Sequence, residues 1–115
     1  MIDLQARFRA AYQMIALVGD DITLMYRTDV GYDSVGPIKA KVAELRMNEI
    51  VAGSSARIGD LRAIVLAASI PAGQRRLELK DRVQWRGRQY AVVQYDDATA
   101  SIGAEVMAVH IYLRG

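Results

Sequence analysis

The chain has 115 residues, of which 52% are hydrophobic and 24% are charged. This length and balance are typical of one folded domain and exclude a disordered tail. The net charge of +2 is low for a protein whose main task is to bind nucleic acid. Because the chain contains no cysteine, disulfide bonds, thiolate metal sites and cysteine nucleophiles are also excluded.

The sequence predicts neither export nor a membrane partner. The first 18 residues carry Asp3, Arg7 and Arg9 among their apolar residues, unlike a signal peptide. No uninterrupted apolar run approaches the ~20 residues of a membrane helix. The lack of cysteine suits a reducing compartment. We therefore expect the chain to assemble in a cytoplasm.

The N-terminal stretch has helical spacing. Its apolar residues recur at intervals that place them on one face: Leu4, Phe8, Tyr12 and Ile15. Asp3 lies in the first turn, where a carboxylate favours the helix dipole, and Gly19 is a plausible stop. These features predict a helix over residues 1–19, which packs on the domain's own core or on a neighbouring subunit.

From residue 21 onward, the apolar residues alternate as in β-strands. The alternation predicts a strand over residues 21–27 and a second over residues 38–42. Residues 29–36 between them contain two glycines and two aspartates, which is typical of a loop. The pattern loses phase near residues 43–45, which indicates a bulge or the end of the strand. Residues 48–51 form either a short strand or part of the next loop.

The second half of the chain continues the β pattern. We predict a turn over residues 58–60 and then a strand over residues 61–68, buried on both faces. The next segment, residues 75–81, is a polar connection in which Leu77 and Leu79 point inward. A hairpin follows over residues 83–95, with Gly87 supplying the positive φ of its turn. A final strand is predicted over residues 105–113.

These elements indicate a mainly β fold, with an N-terminal α-helix followed by about six strands. Short turns between strands, without intervening helices, are typical of a small antiparallel β-barrel or sandwich. We therefore expect a single domain over residues 1–115, with extended loops. Residues 1–19 are its helix and residues 21–115 its barrel-like body.

The chain lacks a recognisable catalytic or metal-binding pattern. The single histidine, His110, lies mid-strand without a nearby carboxylate cluster, which favours a structural or interfacial role over catalysis. The pairs at residues 20–21 and 96–97 are aspartates in turn-like positions, with cation binding and catalysis as weaker alternatives. No phosphate loop, dinucleotide fingerprint or nucleophile elbow is present. We predict no enzyme activity, no metal and no cofactor.

One hairpin combines basic and aromatic residues, namely Arg82, Trp85, Arg86, Arg88 and Tyr90. Arginines that alternate with aromatic rings can hold a nucleic-acid backbone and stack its bases. The alternative is a solvated strand face whose rings are buried on the other side. The second interpretation is favoured because Trp85 is in phase with the apolar Val83.

An ordered set of short motifs runs through residues 58–115. Its pieces are Gly59-Asp60 before an apolar strand, a D-x-V motif at Asp81 and Val83, a G-x-x-Y-x-V motif at Gly87, Tyr90 and Val92, Asp96-Asp97-Ala98-Thr99, and a closing Tyr112-Leu113-Arg114-Gly115. Together these pieces resemble the head–tail connector and head-closure (stopper) proteins of tailed bacteriophages. The chain departs from that pattern at Lys80, where neck proteins often have glycine.

The resemblance implies a structural virion protein without catalytic activity. Copies of such a protein form a ring in the phage neck, which is assembled in the bacterial host cytoplasm. The ring closes the head, retains the packaged DNA and offers a surface to the tail. The implied partners are further copies of the chain, the adaptor or portal, the tail terminator or tail tube, and double-stranded DNA by proximity. Rings of six and of twelve copies both fit.

The resemblance also suggests a role for the predicted loop, as a segment that faces the channel or contacts the next subunit. Its residues are Asp29, Val30, Gly31, Tyr32, Asp33, Ser34, Val35 and Gly36. Two alternatives to the stopper role stay open. One is an adaptor or tail terminator in the same neck, and the other is a small barrel that binds nucleic acid.

Overall fold

In a computed structural model of the protein, six antiparallel strands close into a barrel. The structure describes residues 15, 18–46, 56–97, 101–102, 105–106 and 108–115. The barrel strands are β1 (Asp20–Thr28), β2 (Gly31–Glu44), β3 (Leu61–Leu66), β4 (Arg82–Trp85), β5 (Arg88–Asp96) and β8 (Ala108–Arg114). Strands β6 (Ser101–Ile102) and β7 (Glu105–Val106) pair with each other in a separate sheet. The predicted mainly β fold is confirmed, and of the two predicted architectures the barrel is the one observed.

The order of strands around the barrel is β1-β2-β3-β8-β5-β4. The barrel closes where β4 pairs with β1, with Leu24 opposite Val83. The last strand, β8, lies between β3 and β5 and pairs with both. The core fills the barrel interior because alternate residues of each strand point inward. Its largest fully buried apolar side chains are Ile22, Leu24, Val65, Val83, Val92, Ile111 and Leu113.

The prediction of a loop over residues 29–36 is wrong. Only residues 29–30 form a turn, and the rest of the stretch is the first part of β2. Gly31 and Gly36 have φ of +144° and +153°, so the strand itself uses the glycines that suggested a loop. A bulge explains the second glycine, because the β1–β2 register shifts between Ile22 and Leu24.

The hairpin of β4 and β5 has the tight turn that was predicted. Arg86 and Gly87 have φ of +51° and +76°, the signature of a type I′ turn. The predicted inward position of Leu77 is confirmed, whereas that of Leu79 is wrong because this side chain is 73% exposed. Leu79 occupies a turn between Leu77 and β4, so strand-like alternation does not apply to it.

Two other predicted strands have different bounds. The strand predicted over residues 61–68 ends at Leu66, and a 3₁₀ turn follows at Ala67–Ser69. Its outward residues are half-buried rather than buried. The final strand predicted over residues 105–113 is divided into β7 and β8. Residues 48–51, and the helix over residues 1–19 except for Ile15, Val18 and Gly19, lie outside the described residues.

Candidate functional site

The turns at the two ends of the barrel each contain a buried aspartate. The Asp81 end consists of the β1–β2 turn and residues 67–81. The Asp60 end consists of residues 18–19, residues 56–60, the β4–β5 turn and residues 114–115. Each buried aspartate directly precedes a strand and is paired with an arginine. One buried ion pair therefore lies at each end of the barrel.

The carboxylate of Asp81 is fully buried and accepts four hydrogen bonds. Nη1 and Nη2 of Arg75 donate to it at 2.6 and 2.7 Å, and the backbone amides of Arg27 and Glu78 donate at 2.7 Å each. Burial alone would raise the pKa of Asp81, but the hydrogen bonds and the Arg75 charge outweigh it and lower the pKa. The Arg75 guanidinium also lies 5.1 Å from the Tyr26 ring, which closes this end of the core.

The carboxylate of Asp60 is held in a similar way at the other end. Nε and Nη2 of Arg114 donate to it at 2.9 and 2.8 Å, and the Arg57 amide donates at 2.7 Å. Burial would raise the pKa of Asp60, but the bonds from Arg114 and Arg57 lower it below its ordinary value. The ion pair ties the turn before β3 to the last residue of β8.

The two aspartates close turns of the same hydrogen-bonded form. In each turn the carboxylate accepts from the amide three residues earlier at 2.7 Å, which is Arg57 for Asp60 and Glu78 for Asp81. The aspartate amide in turn donates to the carbonyl of that same residue at 3.0 Å. We call these the Asp60 turn (residues 57–60) and the Asp81 turn (residues 78–81).

Each of these turns exposes a large apolar side chain two residues before its aspartate. Ile58 is 61% exposed in the Asp60 turn, and Leu79 is exposed in the Asp81 turn. The turns differ at the next position, where Gly59 has φ of +91° but Lys80 has a negative φ. The two turns therefore share their bonding while differing in backbone conformation.

On the outer wall of the barrel, the structure brings Tyr32 of the predicted loop next to Arg82 of the basic and aromatic hairpin. The Tyr32 hydroxyl accepts hydrogen bonds from Nε of Arg82 at 3.1 Å and from Nη1 of Arg27 at 3.4 Å. These bonds to Arg27 and Arg82 lower the pKa of Tyr32, because they stabilise the phenolate. We call these three residues the Tyr32 cluster.

The aromatic residues of the β4–β5 hairpin do not offer free faces for stacking. Tyr90 is buried, and Trp85 packs against the core with its ring 6.0 Å from that of Tyr90. The guanidinium of Arg86 lies 4.5 Å from the Trp85 ring centre, and that of Arg88 lies 5.4 Å from the Tyr90 ring centre. These arginines occupy faces on which a base would otherwise stack.

His110 is buried although it points away from the core. Its neighbours Val109 and Ile111 point inward, so the histidine lies on the outer face of β8. Its Nε2 has no hydrogen-bond partner among the described residues. Burial and the Arg62 charge lower the pKa of His110, while Asp96 opposes them, so the imidazole is neutral at pH 7.

The paired aspartates of the sequence do not converge. Asp20 accepts from Nε1 of Trp85 at 3.1 Å, Asp21 pairs with Lys39 at 2.9 Å, and Asp97 pairs with Arg76 at 3.6 Å. Within the described ranges, no three histidine, aspartate or glutamate residues are grouped closely enough to hold a metal ion. No helix in this part of the chain is long and apolar enough to cross a membrane.

The motifs of the second half have structural roles in the barrel. Asp81 anchors its turn, Gly87 forms the hairpin turn, and Val83, Tyr90 and Val92 belong to the core. The sequence analysis grouped Asp60 and Asp81 with these motifs but did not identify them as buried anchors. Their position immediately before an apolar strand is the signal that was available.

Comparison with known protein families, curated proteins and solved structures finds no match for this chain.

Proposed function

We propose that this chain is a structural protein of the neck of a tailed bacteriophage. Its copies form a ring between the portal or adaptor and the tail. The ring closes the head, retains the packaged DNA and provides the surface to which the tail attaches. In this proposal the chain has no catalytic role, and the predicted helix over residues 1–19 contacts the barrel or a neighbouring subunit.

The observation that carries the proposal is the distribution of exposed apolar side chains. Val30 and Leu79 lie at the Asp81 end and are 98% and 73% exposed, whereas Val18 and Ile58 lie at the Asp60 end. These four are the exposed large hydrophobic residues of the described chain, and none lies on the barrel wall. Since exposed apolar groups favour protein contacts, this distribution suits a protein joined to different partners above and below.

The anchored turns make these apolar groups suitable for docking. Ile58 and Leu79 sit in turns whose aspartates are buried and hydrogen-bonded, so their backbones are held before any partner arrives. A contact residue on an ordered turn loses less conformational entropy on binding than one on a flexible loop. The sequence departs from the neck pattern at Lys80, yet the Asp81 turn forms without glycine there.

The β1–β2 hairpin supports the predicted role for residues 29–36. Residues 40–44 of β2 pair with β3, whereas residues 31–35, 38 and 39 pair with β1 alone among the described strands. The second edge of this segment therefore offers backbone donors and acceptors to a neighbouring chain. The proposed role is contact with the next subunit or with the channel, now by a strand rather than by a loop.

Particles that carry substitutions at the two ends test the proposal. Leu79→Asp and Ile58→Asp place a charge in one proposed joint each, with Lys41→Asp on the barrel wall as the control. We expect each end variant to accumulate unjoined heads or tails, which electron microscopy detects. The free energy of urea unfolding of each variant should stay within about 0.5 kcal/mol of the parent value. Normal particles from both end variants, or absence of the chain from purified virions, would overturn it.

Imaging of the assembled neck also separates the related roles. A stopper lies between adaptor and tail, an adaptor lies against the portal, and a tail terminator caps the tail tube. Deletion of residues 30–35 tests the hairpin, because heads that still retain DNA and join tails would exclude its role. A dedicated nucleic-acid module would instead show steep salt dependence with short oligonucleotides.

A further inference from the structure

Among the described residues, the two cations of the Tyr32 cluster have no acidic partner. No carboxylate of the described residues lies within ion-pair distance of Arg27 or Arg82. By contrast, Arg75 and Arg114 are paired with the buried aspartates. Both guanidinium groups converge on one phenol oxygen, at 3.4 and 3.1 Å. Two cations held this close repel each other, so an anion between them is favoured.

Three strands position the cluster on the outer wall. Arg27 lies opposite Tyr32 in the β1–β2 ladder, and Arg82 lies opposite Met25 in the β1–β4 ladder. The Tyr32 side chain therefore reaches across β1 to Arg82, next to the outward Met25. Met25 is only 9% exposed, which gives the cluster an apolar floor. Both arginines are exposed, so binding of an anion there would not bury a free charge.

We infer that Arg27, Tyr32 and Arg82 bind one phosphate group of a nucleic-acid backbone. Guanidinium groups bind phosphate oxygens through paired N–H donors, and the Tyr32 hydroxyl adds a third donor. Small-molecule sites are concave and enclose their ligand, whereas this cluster lies on the outer wall of a barrel. A polymer lying across that wall can place one phosphate there. The inference does not depend on the proposed neck function.

One phosphate per chain predicts weak binding with a shallow salt dependence. Neutralising a single phosphate of duplex DNA gives a slope of about −0.9 for log K against log salt. A dedicated nucleic-acid-binding domain contacts several phosphates and has a much steeper slope. This expectation agrees with the low net charge of the chain.

Titration of the full chain with a short DNA duplex at low salt, followed by NMR chemical shifts, tests the site. We expect Arg27→Gln and Arg82→Gln each to weaken binding about fivefold or more and to reduce the salt slope towards zero. Lys41→Gln is the matched control, since it removes one exposed charge from the same wall of β2. It should change the affinity by less than about twofold. An equal loss in the control, or no binding by the parent, would overturn the inference.

The pKa of Tyr32 provides a second readout. If the cluster had only a structural role, adding the duplex would leave this pKa unchanged. Subtracting the tyrosinate absorbance titration of Tyr32→Phe from that of the parent isolates this phenol. A bound phosphate disfavours the phenolate, so the duplex should raise the pKa of Tyr32 from its lowered value towards the ordinary one. If inorganic phosphate raises this pKa and the duplex does not, the site takes a free anion and the nucleic-acid assignment is wrong.

Discussion

The Asp60 turn and the Asp81 turn have the same internal bonds, but their carboxylates are linked to the rest of the barrel in opposite ways. Asp81 reaches a distant strand through a backbone amide, that of Arg27, and its arginine comes from its own loop. Asp60 reaches a distant strand through a side chain, that of Arg114, and its amide donor is local. Both long-range bonds join residues 54 apart in sequence.

Because of this difference, the carboxylate links of the two ends depend on their arginines to different degrees. Removing the arginine at the Asp60 end breaks the side-chain link to β8, because Arg114 itself makes that link. Removing it at the Asp81 end leaves the bond from the Arg27 amide in place. Both aspartate carbonyls also accept a distant backbone amide, from Leu45 at Asp60 and from Val92 at Asp81. The two ends therefore differ only in the links of their carboxylates, and that of Asp81 is the more deeply buried.

Low pH should destabilise both ends of the barrel together, and this loss in the free energy of unfolding is the largest effect we expect. A carboxylate whose pKa is lowered by folding stabilises the fold above its ordinary pKa, and that stability is lost as the pH falls through the lowered value. Unfolding free energy measured by urea titration should therefore fall as the pH decreases below about 4. His110 acts in the same direction, since its pKa is lowered and the unfolded chain takes up a proton below about pH 6.5. A stability that stays constant between pH 5 and pH 3 would contradict these assignments.

Asp81→Asn should be the most damaging single substitution. It removes the charge from a carboxylate with four hydrogen bonds, and its new amide hydrogens face the Arg75 guanidinium. We expect a loss of about 3 kcal/mol in the free energy of urea unfolding. Asp21→Asn is the control, because Asp21 pairs with Lys39 on the surface and should cost less than about 0.5 kcal/mol.

Asp60→Asn should cost less, about 2 kcal/mol, because Asp60 is slightly more exposed and its described bonds include one backbone donor rather than two. The same urea titration gives the value. Arg114→Gln should approach this loss, whereas Arg75→Gln should cost less than Asp81→Asn. An Arg75→Gln loss equal to that of Asp81→Asn, with an Arg114→Gln loss well below that of Asp60→Asn, would disprove the proposed difference between the ends.

The difference in φ between Gly59 and Lys80 gives the smallest predicted effect. Gly59→Ala should destabilise the chain by about 1 kcal/mol, because alanine resists a φ of +91°. Lys80→Ala at the equivalent position should change stability by less than about 0.5 kcal/mol, since φ is already negative there. Thermal unfolding of both variants beside the parent measures the contrast, and equal losses would refute it.

The barrel was predictable from the sequence where burial sets the pattern. Alternating apolar residues identified β1, and Gly87 identified the turn between β4 and β5. Composition failed at residues 29–36, because glycines that permit a bulge in a strand look the same as glycines of a loop. The alternation of apolar residues also predicted the wrong direction for Leu79. This residue lies in a turn whose form depends on a buried carboxylate.

The Tyr32 cluster was beyond sequence reasoning for a different reason. Tyr32 and Arg82 were each placed in a candidate group, but they are 50 residues apart and on strands that do not pair. Their meeting depends on β1 lying between β2 and β4, which is a property of barrel closure. Arg27 was not among the candidates, since a lone arginine at the end of a predicted strand carries no signal by itself.

The position of β8 between β3 and β5 has a consequence for synthesis on the ribosome. Until residues 108–114 have emerged, the edges of β3 and β5 that pair with β8 lack that partner, and the barrel cannot close. Closure of the barrel therefore waits until residues 108–114 have left the ribosome. A nascent chain stalled before β8 should be digested rapidly by protease, whereas the chain with β8 emerged should resist.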